Sequence, residues 1–171
     1  MKTTRREHLA LLGGTALAAF APAVSFAESH ATEPKVIEVL MLNADPENKK
    51  ERQVFVPAVI RANVGDTIKF ISENPGHNAQ VDKKMMPEGG TEFKGRIGKD
   101  VEVVMEVEGA YGYQCQPHAS AGMVGLILVG DVSGNYEAIK EVRQRGKAKK
   151  RYQAYFEMAD AMLAEEAANA S

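Results

Sequence analysis

The sequence predicts a mainly-β domain, a sandwich or barrel, followed by two C-terminal α-helices. Three observations predict it. Short segments rich in β-branched residues recur between glycine and proline turns. One of them, 123–129, is almost continuously apolar, as a strand buried on both faces would be. After Asn135 the hydrophobic period changes from two to helical spacing. At 171 residues and 44% hydrophobic content, the chain suits one domain with additional segments.

Taken in order, residues 1–27 read as an export signal. Lys2, Arg5 and Arg6 precede the apolar run Leu9–Phe20, and Ser25-Phe26-Ala27 supplies a small-residue cleavage site. The run is too short to span a bilayer as a stable helix. The adjacent arginines directly before it resemble the twin-arginine form of such a signal, with the Sec form as the alternative. Cleavage after Ala27 removes three basic residues and one acidic residue, and moves the formal charge from −2 to −4. The expected mature chain, 28–171, is therefore periplasmic, has no membrane span, and carries no basic excess for nucleic-acid binding.

Residues 28–34 read as a polar leader. Val36–Leu42 alternates, with Ile37, Val39 and Met41 sharing a face. Val54–Arg61 reads as one strand in which Pro57 marks an edge or bulge. Asn63-Val64-Gly65-Asp66 is a turn, and Thr67–Ser72 points Ile68 and Phe70 one way. Strands over Val101–Val107, Ala110–Cys115 and Met123–Val129 follow. Asn135 is expected to cap a helix starting at Tyr136, Gly146 to break it, and Lys147–Ala167 to form a second helix, so that helices occupy about 135–167. Tyr152, Tyr155, Phe156, Ala159, Met162 and Leu163 form a stripe that would dock on the sheets, with Lys147–Arg151 as a solvated face.

The chemistry concentrates in Cys115-Gln116-Pro117-His118-Ala119-Ser120-Ala121-Gly122-Met123. The chain has one cysteine, so no internal disulfide is available. Cys115, His118 and Met123 share one loop between strands, and His77 lies in the turn-rich segment Asn74–Asn78. A thiolate, two imidazoles and a thioether form the ligand set of a blue-copper electron-transfer site, a trigonal Cys-His-His arrangement with a weak axial Met. Structural zinc takes Cys and His in closed tetrahedra and has no use for a thioether. A nucleophilic Cys-His pair would need an orienting group and an oxyanion site. The loop offers neither, and the chain reads as a non-enzyme. A copper-storage or copper-delivery protein is the second reading.

These motifs resemble the cupredoxin family of type 1 blue-copper proteins, and within it the pseudoazurin branch. The likeness spans about Val36 to Ala167. It rests on Cys-x-Pro-His followed by Gly-Met, on Gly76-His77-Asn78 placed 38 residues before the cysteine, and on the two C-terminal helices. The resemblance implies an eight-stranded Greek-key sandwich holding one copper, Cu(I)/Cu(II), on His77, Cys115, His118 and Met123. It implies that Asn78 ties the ligand loops together and offers a backbone N–H to the sulfur, while Pro117 has no N–H to offer. It implies a monomeric periplasmic electron carrier serving nitrite reductase, nitrous oxide reductase or a cytochrome c. The docking face would be apolar around the edge of His118 (Pro117, Ala119, Gly122) and ringed by Lys83, Lys84, Lys94 and Arg96. The chain departs from the family at that face. Gln114 stands where a lysine is common, Asn74 and Pro75 precede the first histidine, and Asp45–Arg52 is an additional charged stretch.

Overall fold

A computed structural model describes residues 33–170 of the chain. The leader read from residues 1–27 lies outside the described residues. Eight strands form two four-stranded sheets. β1 (Val36–Ala44), β2 (Arg52–Val56), β4 (Thr67–Ile71) and β6 (Val101–Val104) make one, in the order β2-β1-β4-β6. β3 (Val59–Ala62), β5 (Gln80–Val81), β7 (Gly109–Gln114) and β8 (Val124–Val129) make the other, in the order β3-β8-β7-β5. β1 runs parallel to β4 and β3 parallel to β8, and the remaining pairs are antiparallel. This is a two-sheet sandwich, consistent with the Greek-key type that the resemblance implies.

The alternation of each strand decides what fills the space between the sheets. Val39, Met41, Ile68, Phe70 and Val103 point inward from one sheet, and Ile60, Ala62, Tyr111, Tyr113, Ile127 and Val129 from the other. An aromatic cluster occupies the middle: the ring of Tyr113 lies 4.8 Å from Phe55 and 5.1 Å from Phe70, edge to face. β8 is buried along its whole length. Its odd-numbered side chains Ile127 and Val129 join the inner core, while Val124, Leu126 and Leu128 join a second cluster on the outer face. The helices cover that face.

α1 (Tyr136–Lys140) and α2 (Gly146–Asn169) supply the cover. Tyr152 and Ala159 are buried there with Ala148, and Tyr155, Phe156, Met162 and Leu163 pack at the margin. The Tyr152 hydroxyl donates to the Tyr113 carbonyl at 3.0 Å, fastening α2 to β7. Burying a side chain of this size stabilises by roughly 1.5–3 kcal/mol, so the apolar stripe, not helix propensity, holds α2 in place. No helix among the described residues is long and apolar enough to cross a membrane.

Four expectations change, and one strand was not expected at all. The run 54–61 is two strands, not one. A cis Val56-Pro57 bond separates β2 from β3, and the chain changes sheet there. The strand at Val101 ends at Val104, because Met105 turns its N–H to the Asp66 carbonyl and its own carbonyl to the Gly65 N–H. β5, two residues long, gives too little pattern to detect. Asn135 does not cap α1 with its side chain. Its amide instead brackets one residue of β7, accepting from Ala110 N at 2.8 Å and donating to Ala110 O at 2.8 Å. Finally, Arg151 is not part of a solvated face, since its side chain is only 14% exposed.

Candidate metal centre

Two loops at one end of the sandwich meet over the core. The first follows β4 and carries His77. The second joins β7 to β8 and carries Cys115, His118 and Met123. Short backbone hydrogen bonds close it: Cys115 N–H to Met123 O (2.9 Å), His118 N–H to Cys115 O (3.1 Å), Met123 N–H to His118 O (3.1 Å) and Gly122 N–H to Ala119 O (2.9 Å). A single 3-10 turn, Ala119–Ala121, ends at Gly122 with φ +96°, a conformation that favours glycine. Met123 is fully buried directly after that turn, its backbone paired across the loop with Cys115.

The structure brings three donor atoms to one point. Nδ1 of His77 lies 3.0 Å from Nδ1 of His118, and Sγ of Cys115 lies 3.9 Å and 3.5 Å from them. His77 and Cys115 are fully buried, and His118 is partly exposed. Nε2 of His77 donates to Oδ1 of Asn43 at 2.9 Å, which leaves its Nδ1 as a lone pair facing the thiol and the second imidazole. Burial, and after it the neighbouring His118, holds the pKa of His77 below its ordinary value. Burial pushes the Cys115 thiol up, and the backbone N–H groups of Asn78 and His118 act in the opposite direction by supporting the thiolate.

Such a pocket fits a thiophilic cation. Two imidazole lone pairs and a sulfur converging in a buried space can share at most one proton between neighbours, and a metal ion satisfies all three at once. Soft sulfur with imidazole is the donor chemistry of copper or zinc. The cation would also displace the thiol proton that burial otherwise retains.

The supporting residues come from far along the chain. Asn78 is buried; its Oδ1 accepts from Gln116 N at 2.7 Å and its Nδ2 donates to Gly95 O at 3.1 Å, so one side chain joins three loops. Pro117 is exposed beside His118. Asn43 has no counterpart in the sequence reading. It sits at the end of β1, accepts from His77, and donates its own N–H to Oδ1 of Asn74 at 2.8 Å. The available hint was a polar residue ending an apolar strand, which does not by itself say what it faces.

The predicted basic ring is partly assembled. Lys83, Lys84 and Lys94 line one cleft together with Gln114, and Lys83 pairs with Glu92 across it. Arg96 is exposed but does not line that cleft, and Ala119 is half-buried in the 3-10 turn.

Residues 43–130 match a family model described as copper binding proteins, plastocyanin/azurin family. A pseudoazurin of Methylorubrum extorquens is 36% identical over 140 residues, covering 82% of this chain and 93% of that protein. The pseudoazurin of Paracoccus pantotrophus is 37% identical over 146 residues, covering 85% and 92%. The crystal structure of pseudoazurin from Methylobacterium extorquens superposes with a TM-score of 0.68 at 38% identity, covering 72% of this chain and 98% of that one.

Proposed function

The chain belongs to the copper-binding plastocyanin/azurin family, and from that premise we propose that it is a one-electron carrier holding one type 1 copper on His77, Cys115, His118 and Met123. The convergence of two Nδ1 atoms and one sulfur in a buried pocket carries this reading.

Copper bound there supplies a Cu(II)/Cu(I) couple; everything else is the work of the protein. Cys115 provides the thiolate, supported by the Asn78 and His118 backbone N–H groups. His77 is held from behind by Asn43, so its lone pair stays aimed at the pocket. Met123 would offer a thioether, a weak donor of the kind that tunes the potential of such sites. The closed ligand loop and the Asn78 bridge resist movement, so little reorganisation accompanies a change of charge. His118, the partly exposed member of the set, offers the route to the surface between exposed Pro117 and half-buried Ala119.

The partner class we infer is a periplasmic redox protein: a nitrite reductase or nitrous oxide reductase as acceptor and a cytochrome c as donor, engaged by a monomer. Lys84 and Lys94, beside the Lys83–Glu92 pair and Asp82 in the same cleft, leave a small basic excess that supports an acidic partner, and the export-type residues 1–27 support the compartment. The test is a visible spectrum of the mature protein after Cu(II) addition and then ascorbate. An intense red-region band that bleaches on reduction and returns on reoxidation is expected. A protein that binds copper without colour and yields it quickly to a chelator would instead be a storage or delivery protein.

A further inference from the structure

Arg151 of α2 hydrogen-bonds the ligand loop and the start of β2 together. Its Nη1 donates to Gly122 O at 2.8 Å and to Gln53 O at 2.7 Å. Its Nη2 donates to Arg52 O at 2.8 Å and pairs with Glu51 at 2.7 Å. Gln53 is the only non-glycine residue among those described with a positive φ, 54°, and it is a carbonyl on this same guanidinium. The packing is close at the loop: a Cβ on Gly122 would lie 3.2 Å from Cδ of Arg151.

The contact at Gly122 falls on the peptide that leads into Met123. That peptide is held on both sides. Its carbonyl receives Arg151 together with the Val124 N–H, and its N–H, which belongs to Met123, donates to His118 O. A peptide is planar, so fixing its two polar groups fixes the direction in which the next Cα leaves. A guanidinium is suited to this because its planar fork holds several acceptors in one geometry, and it stays charged at any working pH.

We propose that Arg151 is a positioning residue for Met123: through the Gly122–Met123 peptide it sets how closely the thioether approaches the metal pocket. The proposal rests on the electron-carrier reading above and assigns α2 a part in it. The C-terminal helix then does more than cover β8, because it fixes the weakest and most adjustable donor of the set. The competing account is a plain staple between α2 and the Glu51–Gln53 segment, which would affect stability alone.

The experiment compares Arg151→Met, Arg151→Lys, Glu51→Gln and Met162→Ala with the parent protein. Each is read in three ways: the Cu(II)/Cu(I) equilibrium against a redox buffer, the relative intensity of the two thiolate–copper bands, and amide hydrogen exchange at Met123 in the metal-free protein. Arg151→Met should shift the redox equilibrium at least about threefold, close to 30 mV at roughly 59 mV per tenfold for one electron. It should change the band ratio and speed exchange at Met123 at least about tenfold. Arg151→Lys, which keeps a donor for Gly122, should recover part of each change. Glu51→Gln should leave all three readouts at parent values, because the Gly122 contact survives. Met162→Ala, which loosens α2 elsewhere, should lower Tm with the potential unchanged. The proposal is overturned if Arg151→Met lowers Tm like Met162→Ala while its potential, band ratio and Met123 exchange stay at parent values. A parent protein without a thiolate–copper band would overturn the carrier reading instead, and Met123 exchange would still report whether the clamp exists.

Discussion

Buried polar side chains occur at both ends of β4, and the two ends solve the same problem differently. Before β4, Asp66 is 1% exposed, yet both its carboxylate oxygens are occupied: Oδ1 by Lys35 N at 2.9 Å and Oδ2 by Asn63 N at 2.8 Å. After β4, His77 is equally buried, but its Nδ1 faces another imidazole nitrogen and a thiol. The first group is complete within the fold and stitches the start of β1 to the turn before β4. The second is complete only on its Asn43 side. A buried polar group whose capacity is filled by backbone is architecture. One whose lone pair is held open toward other donors is a site.

Removing the central donor should break this comparison most sharply. Cys115→Ser should abolish the thiolate-to-copper band and leave the far-UV circular dichroism of the sandwich intact. A blue Cys115→Ser protein would mean that the sulfur is not a ligand. At the other end, Asp66→Ala should cost about 2 kcal/mol by leaving two backbone N–H groups without their acceptor, or roughly 6–10 °C in Tm for a fold of this size. Its copper spectrum should match the parent. A changed spectrum would show that the two ends are coupled along β4.

Asn43→Ala tests the half of the pocket that the fold does complete. Losing the partner on Nε2 frees the tautomer and orientation of His77, and should weaken copper binding by about 10–100-fold, measured by competition with a chelator. An unchanged affinity would reduce Asn43 to a loop tie through Asn74.

The smallest effect is the pH dependence of the metal-free protein. The folded pKa of His77 lies below its ordinary value of 6.5, so below that pH the unfolded chain binds more protons than the folded one. The stability tied to neutral His77 is present in full above pH 6.5 and drains away as pH falls through the lower folded value. Urea midpoints taken between pH 7 and 5 should fall in the parent and flatten in His77→Gln. Equal slopes in both would remove His77 as the cause.

Much of this was readable from local pattern. Alternation at Ile68 and Phe70 identifies β4, and the almost continuously apolar run 123–129 already implies cover on both faces. Cys115, His118 and Met123 stand out as candidate ligands because a thiol, an imidazole and a thioether fall within nine residues of one loop. Asn135 rightly marked the start of α1 at Tyr136, but its side chain, suited to helix capping, is used instead to bracket Ala110 of β7. Pro57 was rightly suspect in a strand, but a change of sheet is a tertiary outcome that no two-residue pattern announces.

The sequence by itself determined the residue chemistry and the periodicities: which segments could be strands, that the chain ends in helices, and that a thiol, imidazoles and a thioether were available. Those properties follow from side-chain type and from sterics over a few residues. Only the tertiary structure decided who stands behind whom. Asn43 reaches His77 across 34 residues, Asn78 reaches the Gln116 N–H across 38, and Arg151 reaches Gly122 across 29. Those contacts depend on the register of β1 against β4 and on the docking of α2, which are set by burial of the whole core rather than by any local run of residues.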